Sequence, residues 1–136
     1  MTTQPTHAAA LEHVRVVDCM HHGILTCDPS APAREVAAIM ARNHVHAVAL
    51  TGGNRERPVA IVSALDVAAA VASGDELTAC QVAGTEYVAV AADQLVQHAA
   101  QLMTEHGVSH LMVLDAAGGF PVGVLSTLDI AAVYAG

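Results

Sequence analysis

The chain has 136 residues, which is long enough for one packed domain and too short for two independent ones. Apolar residues make up 54% of it and aromatic residues only 2%, so a disordered chain is not expected and the core must be aliphatic. The net charge is −8 and lysine is absent, which argues against nucleic acid or an anionic membrane as a partner.

The amino-terminal segment shows no export signal, because residues 1–15 lack a basic stretch followed by an apolar one. No apolar run reaches the roughly 18–20 residues that cross a bilayer. The three cysteines, Cys19, Cys27 and Cys80, are odd in number and widely spaced, which does not suggest a disulfide framework. We therefore expect a cytoplasmic protein, with Cys27 packed inside its first strand.

In chain order, the sequence first predicts a helical extension at residues 6–15 and then two successions of similar elements. The first consists of a strand at 24–27, a helix entered at Ser30 and ending at Asn43-His44, strands at 47–51 and 58–63, and a helix at 65–73. A linker is expected near 74–85. The second consists of a strand at 87–91, a helix entered at Asp93 and ending at His106-Gly107, strands at 110–114 and 121–126, and a helix at 127–135.

These two halves form an internal repeat. A shift of 63 residues aligns 24–73 with 87–136 without a gap, with eleven of 50 positions identical. A β-α-β-β-α unit of this size cannot cover both faces of its sheet, whereas two units packed together can. The pattern therefore predicts an α/β (α+β) fold in which tandem repeats pack as one pseudo-twofold module. Its expected parts are an extension at 1–15 and repeats at 16–74 and 75–136.

The ends of the two repeats resemble the closing signature of CBS domains, which reads hydrophobic-Ser/Thr-x-x-Asp-Ile. Residues 58–67 and 121–130 carry it, with Ser63-Ala64-Leu65-Asp66 aligned to Ser126-Thr127-Leu128-Asp129. Residues 43–48 and 106–111 resemble the segment that precedes the middle strand of that family, and the resemblance extends over 16–136. The chain is thereby identified as a stand-alone pair of CBS repeats, also called a Bateman module.

The resemblance implies two clefts that hold adenosyl compounds such as AMP, ADP, ATP or S-adenosylmethionine. In each cleft the signature Asp would accept hydrogen bonds from the ribose hydroxyls, and the Ser would face ribose or phosphate. One predicted cleft is made by Ser126, Asp129, Met20, Leu25, Val45, His46 and Ala47. The other is made by Ser63, Asp66, Ala83, Val88, Val108, Ser109 and His110. An alternative reading makes each Ser and Asp a helix cap only.

The resemblance also implies a regulatory homodimer that signals to an unidentified partner and requires no cofactor. Positions inside the two signatures are neutral, so adenosine, AMP or an S-adenosyl compound is favoured over ATP. The starts of the helices at 64–66 and 127–129 would still offer backbone N–H groups to one phosphate. The sequence contains no nucleophile elbow and no phosphate-binding glycine loop, so an enzyme is not expected.

The alternative function is a scaffold for protein–protein contact that binds no ligand or responds to a metal. Cys19-x-His21-His22 has a spacing that suits zinc ligands. No second tight pair of ligands follows it in the sequence, which weakens the metal interpretation.

Overall fold

A computed structural model describes residues 11–52, 57–83 and 87–136. These residues form two compact units. The first-repeat unit is Gly23–Tyr87, and the second-repeat unit combines Val88–Gly136 with the segment that ends at His22. Residues 11–22 therefore pack with the second half of the chain rather than with the half that they directly precede.

The elements follow the predicted β-α-β-β-α order twice, which confirms the mixed α/β fold class. In chain order they are a 3-10 turn at Val16–Asp18, β1 (His21–His22), β2 (Thr26–Cys27), α1 (Ala33–Asn43), β3 (Ala47–Leu50), β4 (Ala60–Ser63), α2 (Ala64–Ser73), α3 (Ala79–Ala83), β5 (Ala89–Ala91), α4 (Val96–His106), β6 (His110–Leu114), β7 (Pro121–Ser126) and α5 (Thr127–Ala135). The first strand of each half, β2 or β5, is shorter than predicted.

Each unit contains one sheet, and the two sheets differ at one edge. In the first-repeat unit the order is β2-β3-β4, with β2 parallel and β4 antiparallel to β3. In the second-repeat unit β5, β6 and β7 repeat this arrangement, and β1 adds a fourth strand antiparallel to β7. Strand β1 is not among the strands predicted from the sequence.

The core of each unit lies between its sheet and the apolar stripe of its first long helix. Val36 and Met40 of α1 are buried against alternate residues of β3 and β4, and Ala99 and Met103 of α4 are buried against β6 and β7. Their spacing of four residues places each pair on one helical face. Full burial of a side chain such as Val36 contributes about 1.5–3 kcal/mol relative to exposure.

The ends of α1 and α4 lie where the sequence predicts them. His44 and Gly107 both adopt the left-handed conformation after the last helical residue, with φ values of 53° and 63°. The backbone N–H of each of these residues closes the last turn of its helix by donating to a methionine carbonyl, that of Met40 or Met103.

The predicted starts of these helices are wrong. Neither Ser30 nor Asp93 caps a helix, because α1 and α4 each begin three residues further on. The first helical N–H of α1 donates to the carbonyl of Leu77, and that of α4 donates to the carbonyl of Val14, both at 2.9 Å. These backbone acceptors replace the side-chain cap that the residue types had suggested.

The predicted linker near 74–85 is also wrong, because it contains helix α3. Thr78 and Gln81 form a capping box in which each side chain accepts the backbone N–H of the other residue, at 3.3 and 2.9 Å. Ala79 is fully buried in the first-repeat core. The Thr-x-x-Gln pattern was the sequence signal for this helix.

The predicted extension lies partly outside the described residues, since placement begins at residue 11. Leu11 is helical, but residues 12–15 are not, so the helix is shorter at this end than predicted. Among the described residues, no helix combines the length and hydropathy that a membrane span requires.

Candidate functional site

Ser63 and Asp66 meet at the junction between β4 and α2, where they close the first turn of the helix. The Ser63 N–H donates to Oδ2 of Asp66 at 2.8 Å, and the Asp66 N–H donates to the Ser63 hydroxyl at 3.2 Å. This reciprocal pair is a capping box, which satisfies two backbone donors that the helix itself leaves unpaired.

Ser126 and Asp129 form the same arrangement at the junction between β7 and α5. The Ser126 N–H donates to Oδ2 of Asp129 at 2.8 Å, and the Asp129 N–H donates to the Ser126 hydroxyl at 3.1 Å. All four residues therefore serve as helix caps, and their ligand-binding role stays a prediction. The cap uses only one oxygen of each carboxylate, so it does not exhaust what the Asp side chains can bind.

The second oxygen of Asp129 already has a partner. His21 Nε2 lies 3.0 Å from Asp129 Oδ1, with the His21 side chain 76% exposed and that of Asp129 only 11% exposed. Within the described residues, Asp66 makes no interaction besides those of its capping box. The two signature carboxylates are thus alike at Oδ2 and different at Oδ1.

A glycine in β7 allows His21 to come this close. His22 pairs with Gly123 and His21 with Val124 in the antiparallel β1–β7 ladder. A Cβ atom on Gly123 would overlap the carbonyl oxygen of His21 and lie 3.1 Å from the Met20 sulfur. The aligned residue of the first repeat is Ala60, which carries this Cβ atom.

The start of the middle strand lies beside the signature in each unit. Ala47 pairs with Ser63, and the Ala64 N–H donates to the His46 carbonyl at 2.8 Å. In the other unit His110 pairs with Ser126, and the matching bond from the Thr127 N–H to the Ser109 carbonyl is 3.0 Å long. Segments that the sequence separates by about fifteen residues therefore meet at one sheet end.

The remaining predicted wall residues differ in burial. Met20 is buried in the second-repeat core, and the partly buried residues that pack on the core of their own unit are Val45, Ala83, Val88 and Val108. Leu25 and His46 are exposed, and the Ser109 hydroxyl lies 2.8 Å from His110 Nδ1. Each predicted cleft takes residues from both units, and its assembly stays a prediction.

The first turns of α2 and α5 offer less to a phosphate than the sequence suggested. The first N–H of each helix donates to the carbonyl of the residue that precedes the middle strand, and the third donates to the capping serine. In these first turns, the N–H groups of Leu65 and Leu128 are the ones without a hydrogen-bond acceptor among the described residues. A single backbone donor is a weak anchor for a phosphate group, since phosphate-binding helix ends present several donors together.

The Cys19-x-His21-His22 segment is not arranged as a metal site. The Cys19 thiol lies 3.5 Å from the Val16 carbonyl, and His21 contacts Asp129 instead. Burial raises the pKa of the Cys19 thiol, and the Asp129 and Asp18 carboxylates raise it further, which disfavours the thiolate that binds zinc. Within the described ranges, no three ligand-type side chains come together to hold a metal ion.

The three cysteines are free thiols. Cys27 is buried in β2, as its predicted place in the first strand requires, and burial is the main cause that raises its pKa.

Comparison with known families identifies the fold. Residues 16–73 and 79–136 each match the CBS domain. The chain belongs to the CBS domain family. The two CBS matches together cover most of the length of the chain.

Solved structures with a similar fold include CBS domain proteins. The CBS domain protein PAE2072 from Pyrobaculum aerophilum, solved in complex with AMP, is 34% identical with a TM-score of 0.76, over 85% of this chain and 89% of that one. The CBS domain pair of MJ0100, solved with 5'-methylthioadenosine and S-adenosyl-L-methionine, is 20% identical with a TM-score of 0.80, over 90% and 96%. Hypoxic Response Protein I, solved with two coordinated zinc ions, is 22% identical with a TM-score of 0.68, over 88% and 98%. No curated protein sequence matches the chain significantly.

Proposed function

We propose that this CBS pair is a regulatory module that binds an adenosyl ligand through Asp66 and Asp129 and signals its bound state to a partner protein. The observation that carries the proposal is the carboxylate of Asp66, whose Oδ2 is held by the helix cap while Oδ1 has no partner among the described residues. A carboxylate fixed in this way is prepared to accept hydrogen bonds from a ribose diol.

The relatives support an adenosyl ligand. PAE2072 is 34% identical over most of both chains and was solved with AMP, and the MJ0100 pair was solved with two S-adenosyl-type compounds. CBS pairs are typically regulatory, so we propose a regulator rather than an enzyme. The division into an extension at 1–15 and repeats at 16–74 and 75–136 belongs to the same proposal, as do the predicted wall residues.

Charge favours AMP or an S-adenosyl compound over ATP. The chain carries a net charge of −8, and the side chains between each Ser and Asp of the signature are neutral. Each following helix leaves one first-turn N–H for a phosphate. The negative charge of a bound triphosphate would therefore be poorly neutralised. A cationic S-adenosyl group, in contrast, is attracted to an acidic chain.

The test is calorimetric titration and thermal unfolding with AMP, S-adenosylmethionine and ATP. A true ligand at 100 times its Kd adds about 2.7 kcal/mol of apparent stability. We expect Asp66→Asn and Asp129→Asn each to weaken binding, because asparagine can keep the helix cap and loses the charged acceptor. Asp115→Asn is the matched control, since Asp115 lies exposed in the β6–β7 loop. Failure of all three compounds to bind would overturn the proposal.

The surface of the closing helices supports a homodimer. No residue of α2 or α5 is buried, although both helices are rich in apolar side chains. Leu65 and Leu128 are 75% and 65% exposed. A cavity of about 420 Å³ lies beside α2, lined by Val67, Ala70 and Val71 with residues of α1 and the 74–77 loop. Burial of such a surface between two copies would be favourable.

Light scattering on the purified chain tests the dimer. We expect Leu65→Asp and Leu128→Asp to lower the measured molar mass to that of a monomer, because a charge would be buried at the interface. Val59→Asp is the control, since Val59 is also exposed but precedes β4. A wild-type monomer at micromolar concentration would contradict the dimer.

The same surface favours the second candidate function, a ligand-free scaffold for protein–protein contact. A well-folded dimer whose stability responds to none of the three adenosyl compounds would select this alternative.

A further inference from the structure

One signature carboxylate is engaged from within the chain and the other is not. His21 Nε2 lies 3.0 Å from Oδ1 of Asp129, on the oxygen that the capping box leaves unused. Asp66 has the same capping box and no such histidine among the described residues. The difference arises from β1, which extends only the sheet of the second-repeat unit.

The position of His21 is imposed by the backbone. The β1–β7 ladder fixes the strand, and Gly123 provides the room that the His21 carbonyl occupies. The imidazole itself is mostly exposed, so its contact with Asp129 can open at small cost. The imidazole therefore binds the Asp129 carboxylate weakly, but the fold keeps the two groups next to each other.

A ribose diol and the His21 imidazole require the same oxygen. The capping box engages Oδ2 of Asp129 through the Ser126 N–H at 2.8 Å, and loss of that box would uncap α5. A ligand hydroxyl that binds Oδ1 therefore approaches the oxygen that His21 Nε2 already contacts at 3.0 Å, and it competes with the imidazole for that position. Oδ1 of Asp66 contacts no side chain among the described residues, so a ligand that binds there displaces none of them.

We infer that His21 competes with the ligand for Asp129, so that the site of the second repeat opens only when this histidine is displaced and the site of the first repeat is occupied first. The inference rests on the proposed adenosyl-binding function and adds an order of occupancy to it. His21 is thus a selectivity residue that makes two otherwise similar repeats unequal.

The experiment measures AMP affinity at Asp129 alone, in chains that carry Asp66→Asn. In that background we expect His21→Ala to tighten AMP binding about two- to fivefold, the range expected when one exposed charge-assisted contact no longer has to be broken. His98→Ala is the control, because His98 is another exposed histidine of the same unit, on α4. It should leave the affinity unchanged.

A second measurement follows the His21 imidazole directly by NMR. On addition of AMP to the Asp66→Asn chain, its ring signals should move toward their positions in an Asp129→Ala chain without ligand. Unchanged or weaker AMP binding in His21→Ala, or His21 signals that do not respond to bound AMP, would overturn this inference while leaving the proposed function intact. Absence of AMP, S-adenosylmethionine and ATP binding in every variant would overturn both.

Discussion

His21 and Asp129 form a side-chain contact in which Nε2 lies 3.0 Å from Oδ1 and only the histidine is open to solvent. The carboxylate is fixed by a helix cap, whereas the imidazole is placed by an edge strand of two residues. The pair therefore defines the environment of Asp129 more than it stabilises the fold.

The first prediction concerns the stability of this pair. His21→Ala should lower the free energy of unfolding by less than about 1 kcal/mol, because exposed ion pairs contribute little. Urea denaturation monitored by circular dichroism measures it, with His98→Ala as the reference. A loss above about 2 kcal/mol would show that β1 depends on the His21 side chain.

The second prediction concerns Gly123. Gly123→Ala should destabilise the chain by about 1–3 kcal/mol, because the new methyl group overlaps the His21 carbonyl and forces β1 away from β7. Gly118→Ala is the control, since the nearest atoms to its added Cβ lie at 3.6 Å and 3.7 Å. Equal midpoints in urea for the two variants would contradict the close packing of β1.

The third prediction concerns the capping boxes. Ser63→Ala and Ser126→Ala should each lower the free energy of unfolding by about 0.5–2 kcal/mol, because the third N–H of α2 or α5 loses its acceptor. Ser73→Ala, at the far end of α2, should change it by no more than about 0.5 kcal/mol. Chemical denaturation of the three variants provides the comparison.

The fourth prediction concerns the ends of α1 and α4. His44→Gly should stabilise the chain by about 1 kcal/mol, because a left-handed residue with a Cβ atom is strained and the aligned Gly107 is not. Gly107→Ala should destabilise it by a similar amount. Melting temperatures of both variants that shift in the same direction from the wild type would contradict this account.

The fifth prediction concerns pH. The Ser30 hydroxyl, 2.6 Å from Asp28 Oδ1, and the Ser30 N–H, at 2.8 Å, hold the pKa of Asp28 below its ordinary value. The stabilisation they give is therefore present above the unfolded-state pKa and is lost as pH falls through the folded-state pKa. NMR titration of the carboxyl carbon should show a higher Asp28 pKa in Ser30→Ala than in the wild type. Identical titration curves would contradict the role of Ser30.

Much of the fold was open to prediction because its signals are local. The stripe of Val36 and Met40, the left-handed end at His44 and the Ser-x-x-Asp signatures each involve residues a few positions apart. Because the two halves repeat at an offset of 63 residues, an element predicted in one half is supported by the aligned element of the other. Helix α3 also has a local signal in Thr78 and Gln81, but its five residues are too few to show an apolar stripe.

The helix starts and the surroundings of Asp129 depend on contacts between distant segments. The N–H that begins α1 finds the Leu77 carbonyl, so Ser30 is not needed as a cap. Two β-α-β-β-α repeats with an acidic residue at the start of each closing helix can be read from the sequence alone, because short-range periodicity and capping fix such elements. The contact between His21 and Asp129 cannot, since strand pairing between distant segments depends on which sheet edge is open and on the room left by Gly123.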